Sequence, residues 1–339
     1  MPPIASIVIP AYNVAATIEA TVASALVQTF HSFEVIVVDD GSTDETPQIL
    51  AGIADARLRL VRQRNRGLAG ARNSGIAKAR GRYIGFLDGD DLWAPEKLAA
   101  HIAHLDANPA VGVSFSASRL IDAEDRPLGL TQSPRLRDLT PEHILRRNPV
   151  GNGSAAVIRR ATLDAIAFRP VEERERDWCF DETFRQSEDI ECWMRIALTS
   201  PWGFEGLAAP LTCYRVNPGG LSANLDPQFA SWRRMMRKVA AIAPEFAGKH
   251  GPTALAYQLR YLARRAISSR NGAEALRLIA KMLRASREPL VREPVKTVTT
   301  LVAAMALALG GANAFSTIES AAFALKRRAG AGLLKGAAK

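Results

Sequence analysis

The segment YIGFLDGDDLW sets Asp88, Asp90 and Asp91 within four positions directly behind an apolar run. A second acidic pair, Asp39 and Asp40, closes FEVIVVDD, and a third, Glu188 and Asp189, follows Ser187 in SEDIECWMRIAL. Like charges gathered at strand ends repel and are poorly solvated unless a cation joins them, and carboxylates one residue apart can share a hard divalent ion. An all-oxygen set of this kind suits Mg2+ or Mn2+, completed by substrate phosphates. The plainer alternative is a turn ahead of Pro95, since turns favour Asp and Gly in any protein. Glu188 and Asp189 open a helical pattern, where free N–H groups and the helix dipole favour an ionised carboxylate. That placement fits a general base on an incoming hydroxyl, and it equally fits ordinary capping.

Two phosphate-binding chemistries are excluded. The first strand does not run into GxGxxG, and GxxxxGK[ST] occurs nowhere. The piece RGLAGARNSG instead reads as a helix start at Gly67 presenting backbone N–H groups, with Arg72 as a cation for a nucleotide, or as a helix packed closely through small residues. Trp93 either stacks on a sugar or fills core, because aromatic side chains do both. His101 and His104, at i and i+3, are expected on the solvent side of a helix.

These groups need a frame. ASIVIPA (5–11) and FEVIVVDD (33–40) are β-branched runs apolar enough to be covered on both faces, as central parallel strands are. Ile18, Val22, Ala25 and Leu26 share a helical spacing between them, and Ser42 with Glu45 stand in capping-box positions before a second helix. LRLVR (58–62), the glycine-rich helix and YIGFL (83–87) continue the alternation, which predicts an α/β domain with a mainly parallel sheet. Ligands then belong beyond the carboxyl ends of the strands, where the acidic groups fall. A helix beginning at Pro95, strand patterns at 111–121, 154–160 and 211–216, and a polar surface excursion over 123–150 complete this part. After about residue 222 the period is helical throughout, with Leu255, Leu259, Leu262 and Ala266 on one face and Arg260 and Arg264 opposite.

SIVIPAYN, EVIVVDDGSTDET, NRGLAGARNSGIAKARGRYIGFLDGDDLWAPEKL and FDE followed by SEDIECWMRI, in that order, resemble an inverting nucleotide-sugar glycosyltransferase of family 2, with the Rossmann-like GT-A fold. The resemblance spans residues 4 to about 222. It implies that Pro10, Tyr12 and Asp40 line the nucleotide, with Asp40 holding the base, usually uracil. It further implies that Asp88 and Asp90 form a DxD motif with Asp90 as the direct metal ligand, and that Asp189 is the catalytic base. The donor it implies is a nucleotide-sugar and the acceptor a saccharide or lipid-linked saccharide. One position departs: relatives often read YRxH where this chain has YRVN, so Asn217 stands in the place of a histidine at the metal. Rival expectations are a sugar nucleotidyltransferase, which lacks support from PAYNVAAT after strand one, and a non-catalytic membrane-bound scaffold of the same fold.

The 339 residues carry a net charge of +10, unevenly spread. From Phe229 to Lys339 there are 20 Lys plus Arg against 5 Asp plus Glu, leaving the first 228 residues mildly acidic. A catalytic domain over 1–222 and a basic helical region over 223–339 are therefore expected, with an anionic membrane surface rather than nucleic acid as the tail's partner. Cys179, Cys192 and Cys213 form no CxxC pair, and MPPIASIVIPAYN enters a strand pattern without a basic segment ahead of it. A reducing cytoplasm fits, with peripheral contact at the inner membrane face. Residues 297–318 are uncharged and long enough to span, but their threonines, glycines, asparagine and serine make a poor span. A packed helix is expected first and an in-plane interfacial helix second.

Overall fold

The structure, a computed structural model, describes residues 2–216 and 225–311. Its elements run β1 (Ala5–Ala11), α1 (Ile18–Leu26), β2 (Phe33–Asp39), α2 (Thr46–Gly52), β3 (Leu58–Arg62), α3 (Gly67–Lys78), β4 (Tyr83–Phe86), β5 (Leu92–Trp93), α4 (Lys97–Ala107), β6 (Val111–Ile121) and β7 (Pro127–Gln132). They continue with α5 (Pro141–Arg146), a 3-10 turn (Gly153–Ala155), β8 (Ala156–Arg159), α6 (Arg160–Ile166), α7 (Glu188–Thr199), β9 (Gly203–Arg215), α8 (Leu225–Ile242), α9 (Pro244–Ser268), α10 (Gly272–Ala285), α11 (Glu288–Arg292) and α12 (Pro294–Gly311).

One nine-stranded sheet has the order β3-β2-β1-β4-β8-β6-β9-β5, with β7 paired to β6. The expected parallel block occupies β3, β2, β1 and β4; beyond β4 the sheet is mixed, because β8 enters antiparallel between β4 and β6. Alternation along β1 and β2 feeds two layers. Ile7, Ile9, Val35 and Val37 join the core beneath α1, while Ile36 and Val38 meet Ala71 of α3. Small residues let α3 lie close on β1, since a side chain at Gly75 would collide with Val8. In register Ala11 pairs with Asp39 and Val8 with Phe86, so the acidic ends of β2 and β4 emerge at one edge.

Three local expectations are corrected. The α2 N-cap is Glu45 without a side-chain cap bond, and Ser42 instead accepts from the Asn13 N–H at 3.1 Å, while Asp44 receives the Thr46 N–H at 3.0 Å. His101 is fully buried and His104 nearly so; both reach Ser114 Oγ, at 2.7 and 2.8 Å, and His101 also meets the buried Lys97 amine at 3.1 Å. Their helix is covered on that side by β6, which a bare i, i+3 spacing cannot reveal. Pro95 precedes α4, whose N-cap is Glu96.

The chain divides into two compact units, residues 1–222 with 230–244, and residues 223–229 with 245–339. Residues 230–244 belong to the first because Arg234 donates to Thr183 O at 2.7 Å and Lys238 pairs with Asp181 and the buried Glu191. In the second unit Leu259, Leu262, Ala263 and Ala266 of α9 pack with Ala275, Leu278, Ile279 and Met282 of α10 and Ala304 of α12. Arg260 does not lie on the solvent face: it is 4% exposed, with its head on Glu293 and on Thr297 Oγ1. Its long stem is buried as an apolar side chain would be, and the following helices supply polar partners for the tip. All three cysteines are free; Cys179 and Cys192 are buried and Cys213 partly so.

Candidate active site

The turn after β4 is held from three sides. Thr21 of α1 donates its hydroxyl to Gly89 O and Asp91 O, at 3.1 and 2.9 Å. From the 3-10 turn, Ser154 Oγ accepts the Asp88 N–H at 2.9 Å and donates to Asp91 Oδ2 at 2.6 Å. From the end of β9, the Arg215 N–H donates to Asp91 Oδ1 at 2.8 Å and its Nε to Asp90 O at 2.7 Å. Asp91 is thus consumed in structure, while Asp88 and Asp90 remain partly exposed. Burial, then the charges of Asp90 and Asp88, push the Asp91 pKa up.

Arg72 ties this turn to the second acidic pair. Its guanidinium, 2% exposed, donates from Nη2 to Asp88 Oδ1 and from Nη1 to Glu188 Oε1, each at 2.7 Å. It does not present a free cation to solvent. Burial pulls its pKa down, but the charges of Asp88, Glu188 and Asp189 outweigh that and the net shift is upward. Phe86 and Phe180 wall it with ring centroids 6.0 and 5.4 Å from its Cζ. Gly153 makes room for the pairing: a Cβ there would stand 2.6 Å from Asp88 Oδ2.

Ser187, in the left-handed region at φ 61°, turns the chain sharply into α7 and sends both acids back toward Arg72. Asp189 Oδ2 accepts from Asn148 Nδ2 at 2.7 Å and its Oδ1 from the Ile190 N–H at 2.8 Å. Burial raises its pKa, Arg72 and the two donors pull it back, and the Asp88 charge adds to the rise. The expected gain in ionisation from the helix start is therefore outweighed by desolvation.

At the other end of the edge, Asp40 is 2% exposed and organises the loop into α3. Its Oδ1 accepts from Gln63 Nε2 at 2.6 Å and the Arg66 N–H at 2.9 Å, and its Oδ2 from the Gly67 N–H at 2.8 Å. Gly67 adopts φ +79°, open to glycine without strain. Pro10 is buried at the end of β1, and Tyr12, 49% exposed, stands open just beyond it. Trp93 fills core: it is 3% exposed, lies over Gly85, and donates Nε1 to Ser154 O at 2.9 Å. Asn217 lies outside the described residues. The spacing of the acids missed Asn148, Ser154, Gln63 and Arg215, single polar residues with no motif of their own. It also missed Asn73, beside Arg72, which binds the 179–180 backbone and Glu182.

Residues 6–166 match the family described as Glycosyl transferase family 2. The succinoglycan biosynthesis protein ExoO of Rhizobium meliloti is 32% identical over 260 residues, covering 70% of this chain and 69% of ExoO. The chain belongs to glycosyltransferase family 2. A further relative, the UDP-Glc:alpha-D-GlcNAc-diphosphoundecaprenol beta-1,3-glucosyltransferase WfgD of Escherichia coli, is 40% identical over 221 residues, 65% of this chain and 79% of WfgD. The mannosyltransferase PcManGT from Pyrobaculum calidifontis, solved with GDP-Man and Mn2+, aligns with TM-score 0.54 and 22% identity over 92% of this chain and 87% of its own, a likeness of fold. As a family 2 glycosyltransferase the chain is an enzyme, and the alternatives of a scaffold and a nucleotidyltransferase fall away.

The oxygen donors of the glycosyltransferase can be tested against a divalent ion. Among the described residues no three His, Cys, Asp or Glu side chains form a group able to hold a metal. Asp91 is consumed; Asp88 and Asp90 are partly exposed, Asp88 with one oxygen on Arg72, and their charges press upward on the Asp91 pKa. One or two carboxylates, with phosphate oxygens and water completing the shell, is the donor set that Mg2+ or Mn2+ takes. The residues fit such an ion.

Proposed function

We propose that the chain transfers a sugar from a UDP-sugar to a hydroxyl of a saccharide or lipid-linked saccharide acceptor, by single displacement with inversion. The observation that carries this reading is Arg72, whose two 2.7 Å bonds join Asp88 of the β4 turn to Glu188 at the start of α7. That link supports reading the diphosphate end and the base end as parts of one site.

Asp189 takes the proton of the attacking hydroxyl, and Asn148 and the Ile190 N–H fix its orientation. Arg72 is a positioning residue, keeping Asp88 and Glu188 at set places while remaining under Phe86 and Phe180. Asp40, Pro10 and Tyr12 form the nucleotide end at the same sheet edge. Asp88 and Asp90 would hold a Mg2+ or Mn2+ ion, which when bound would neutralise charge on the departing diphosphate. The UDP donor and the lipid-linked acceptor are supported by the name of WfgD, and use of a divalent ion by the Mn2+ bound in PcManGT.

The test pairs binding with turnover. UDP with Mn2+ should raise the melting temperature of the wild type and of Asp189→Ala, but not of Asp90→Ala. Asp189→Ala should lose about 100- to 10,000-fold in transfer rate. Transfer surviving in Asp189→Ala, or an undiminished Mn2+-dependent shift in Asp90→Ala, overturns the assignment.

A further inference from the structure

Helix α12 is apolar on two sides. Its inward face carries Thr297, Thr300, Ala304 and Leu307, all buried, while a second set of larger apolar side chains points outward. Val295, Val298, Val302, Met305 and Leu309 make a stripe at spacings of 3, 4, 3 and 4, each side chain 44% to 85% exposed. No charge falls between Thr297 and Gly311. A helix covering a soluble unit places its apolar stripe inward, so a long outward stripe marks an interaction surface.

Charge selects the partner. Residues 245–311 hold 11 Lys plus Arg against 4 Asp plus Glu. Three of those acids are already paired within the unit, Glu274 with Arg277, Glu288 with Arg292, and Glu293 with Arg260 and Lys296. In the same unit, between α10 and α11, a hollow lined by Leu283, Arg284, Ser286, Arg287 and Leu290 mixes apolar and basic groups, and neither arginine is paired with an acid among the described residues. A second copy would bring like charge against like charge. An anionic surface with an apolar layer beneath it meets both the arginines and the stripe.

We infer that α12 docks in the plane of an anionic lipid surface, its valine, methionine and leucine stripe sunk among the acyl chains and Arg284 and Arg287 on the headgroups. The helix lies in the surface and does not cross it. Its inner face is locked to α9 through buried Arg260, which bonds Thr297 Oγ1 at 2.7 Å and pairs with Glu293, and a span would carry that charged pair into hydrocarbon. The inference goes beyond the reaction proposed above and is independent of it.

Sedimentation of the full chain with vesicles tests it. The chain should pellet with phosphatidylcholine vesicles containing phosphatidylglycerol, and about tenfold less with phosphatidylcholine alone. Val302→Glu with Met305→Glu, at exposed sites, should lose about tenfold or more while melting temperature and the UDP shift stay as in the wild type. Arg284→Glu with Arg287→Glu, which leaves the stripe intact, should lose about tenfold at low salt and less at high salt. Equal pelleting with both vesicle types, or undiminished binding by both variants, overturns the inference. So does a particle mass by light scattering that falls to the monomer in the stripe variant with vesicle binding unchanged, which assigns the stripe to a second copy.

Discussion

At the residue scale the proposed reaction turns on how Asp189 would be kept able to accept a proton. Burial raises its pKa and the Asn148 amide is one of the groups that lower it. As the proposed base Asp189 would work ionised, so the rate should fall as pH drops through that raised pKa. Removing the amide removes a stabiliser of the carboxylate and raises the pKa further. Asn148→Ala should therefore shift the acid limb of the kcat/KM profile to higher pH, with a smaller change on the plateau; an unmoved limb would show that Asn148 does not tune the base. Asp88, Asp90 and Asp189 stand out in the sequence because acids spaced around a strand end and a helix start carry a charge problem visible in one dimension. Asn148 and Ser154 do not, since a lone amide or hydroxyl in a loop becomes meaningful only when folding sets it against a carboxylate. Arg72 was noticed as a cation, but its two carboxylate partners come from segments 16 and 116 residues away.

At the scale of elements, the strands were readable because both faces of β1 and β2 are buried, which demands continuous β-branched sequence. The helices were less so. His101, His104 and Arg260 sit inside because β6 and the helices after α10 cover them with hydroxyls and a carboxylate, and an amphipathic pattern holds no record of what lies opposite. The three devices that aim the catalytic edge are the β4 turn, the 3-10 turn and α7, and they meet where Gly153 has no side chain. Gly153→Ala would push a methyl group against Asp88 Oδ2 and the Arg72 guanidinium. We expect a loss of about 1–3 kcal/mol in urea unfolding, together with a fall in kcat, because the joint between turn and proposed base shifts. A Gly153→Ala enzyme with wild-type stability and rate would contradict this account of the joint.

At the scale of the molecule, the sheet unit and the α9 to α12 unit have separate apolar cores, one around Ile7, Ile9, Val35 and Val37, the other around Leu259, Leu262, Ile279 and Met282. The shift from alternating to purely helical period near residue 222 gives no sign that residues 230–244 belong with the sheet unit; Lys238 finds Asp181 and Glu191 only in three dimensions. Unfolding should accordingly depart from a single two-state transition. Calorimetry with UDP and Mn2+ at roughly 100 times Kd should stabilise the sheet unit by about 2.7 kcal/mol and leave the helical unit's transition in place. A single transition that moves as a whole would contradict separate cores.

The same burial that makes the sheet unit stable also sorts its sulfur chemistry. Desolvation pushes the Cys179 thiol up to about 12 and the Cys192 thiol well above its ordinary value, so neither supplies thiolate to a reagent at neutral pH. Only Cys213 keeps some surface, on the β9 residue paired with Leu92 and two positions before Arg215. Burial raises the Cys213 thiol as well, so a maleimide dye offered to the native enzyme should label this partly open sulfur, two residues from the arginine that clamps Asp91, slowly at neutral pH and faster as pH rises, making it a slow-reacting attachment point beside the acidic turn.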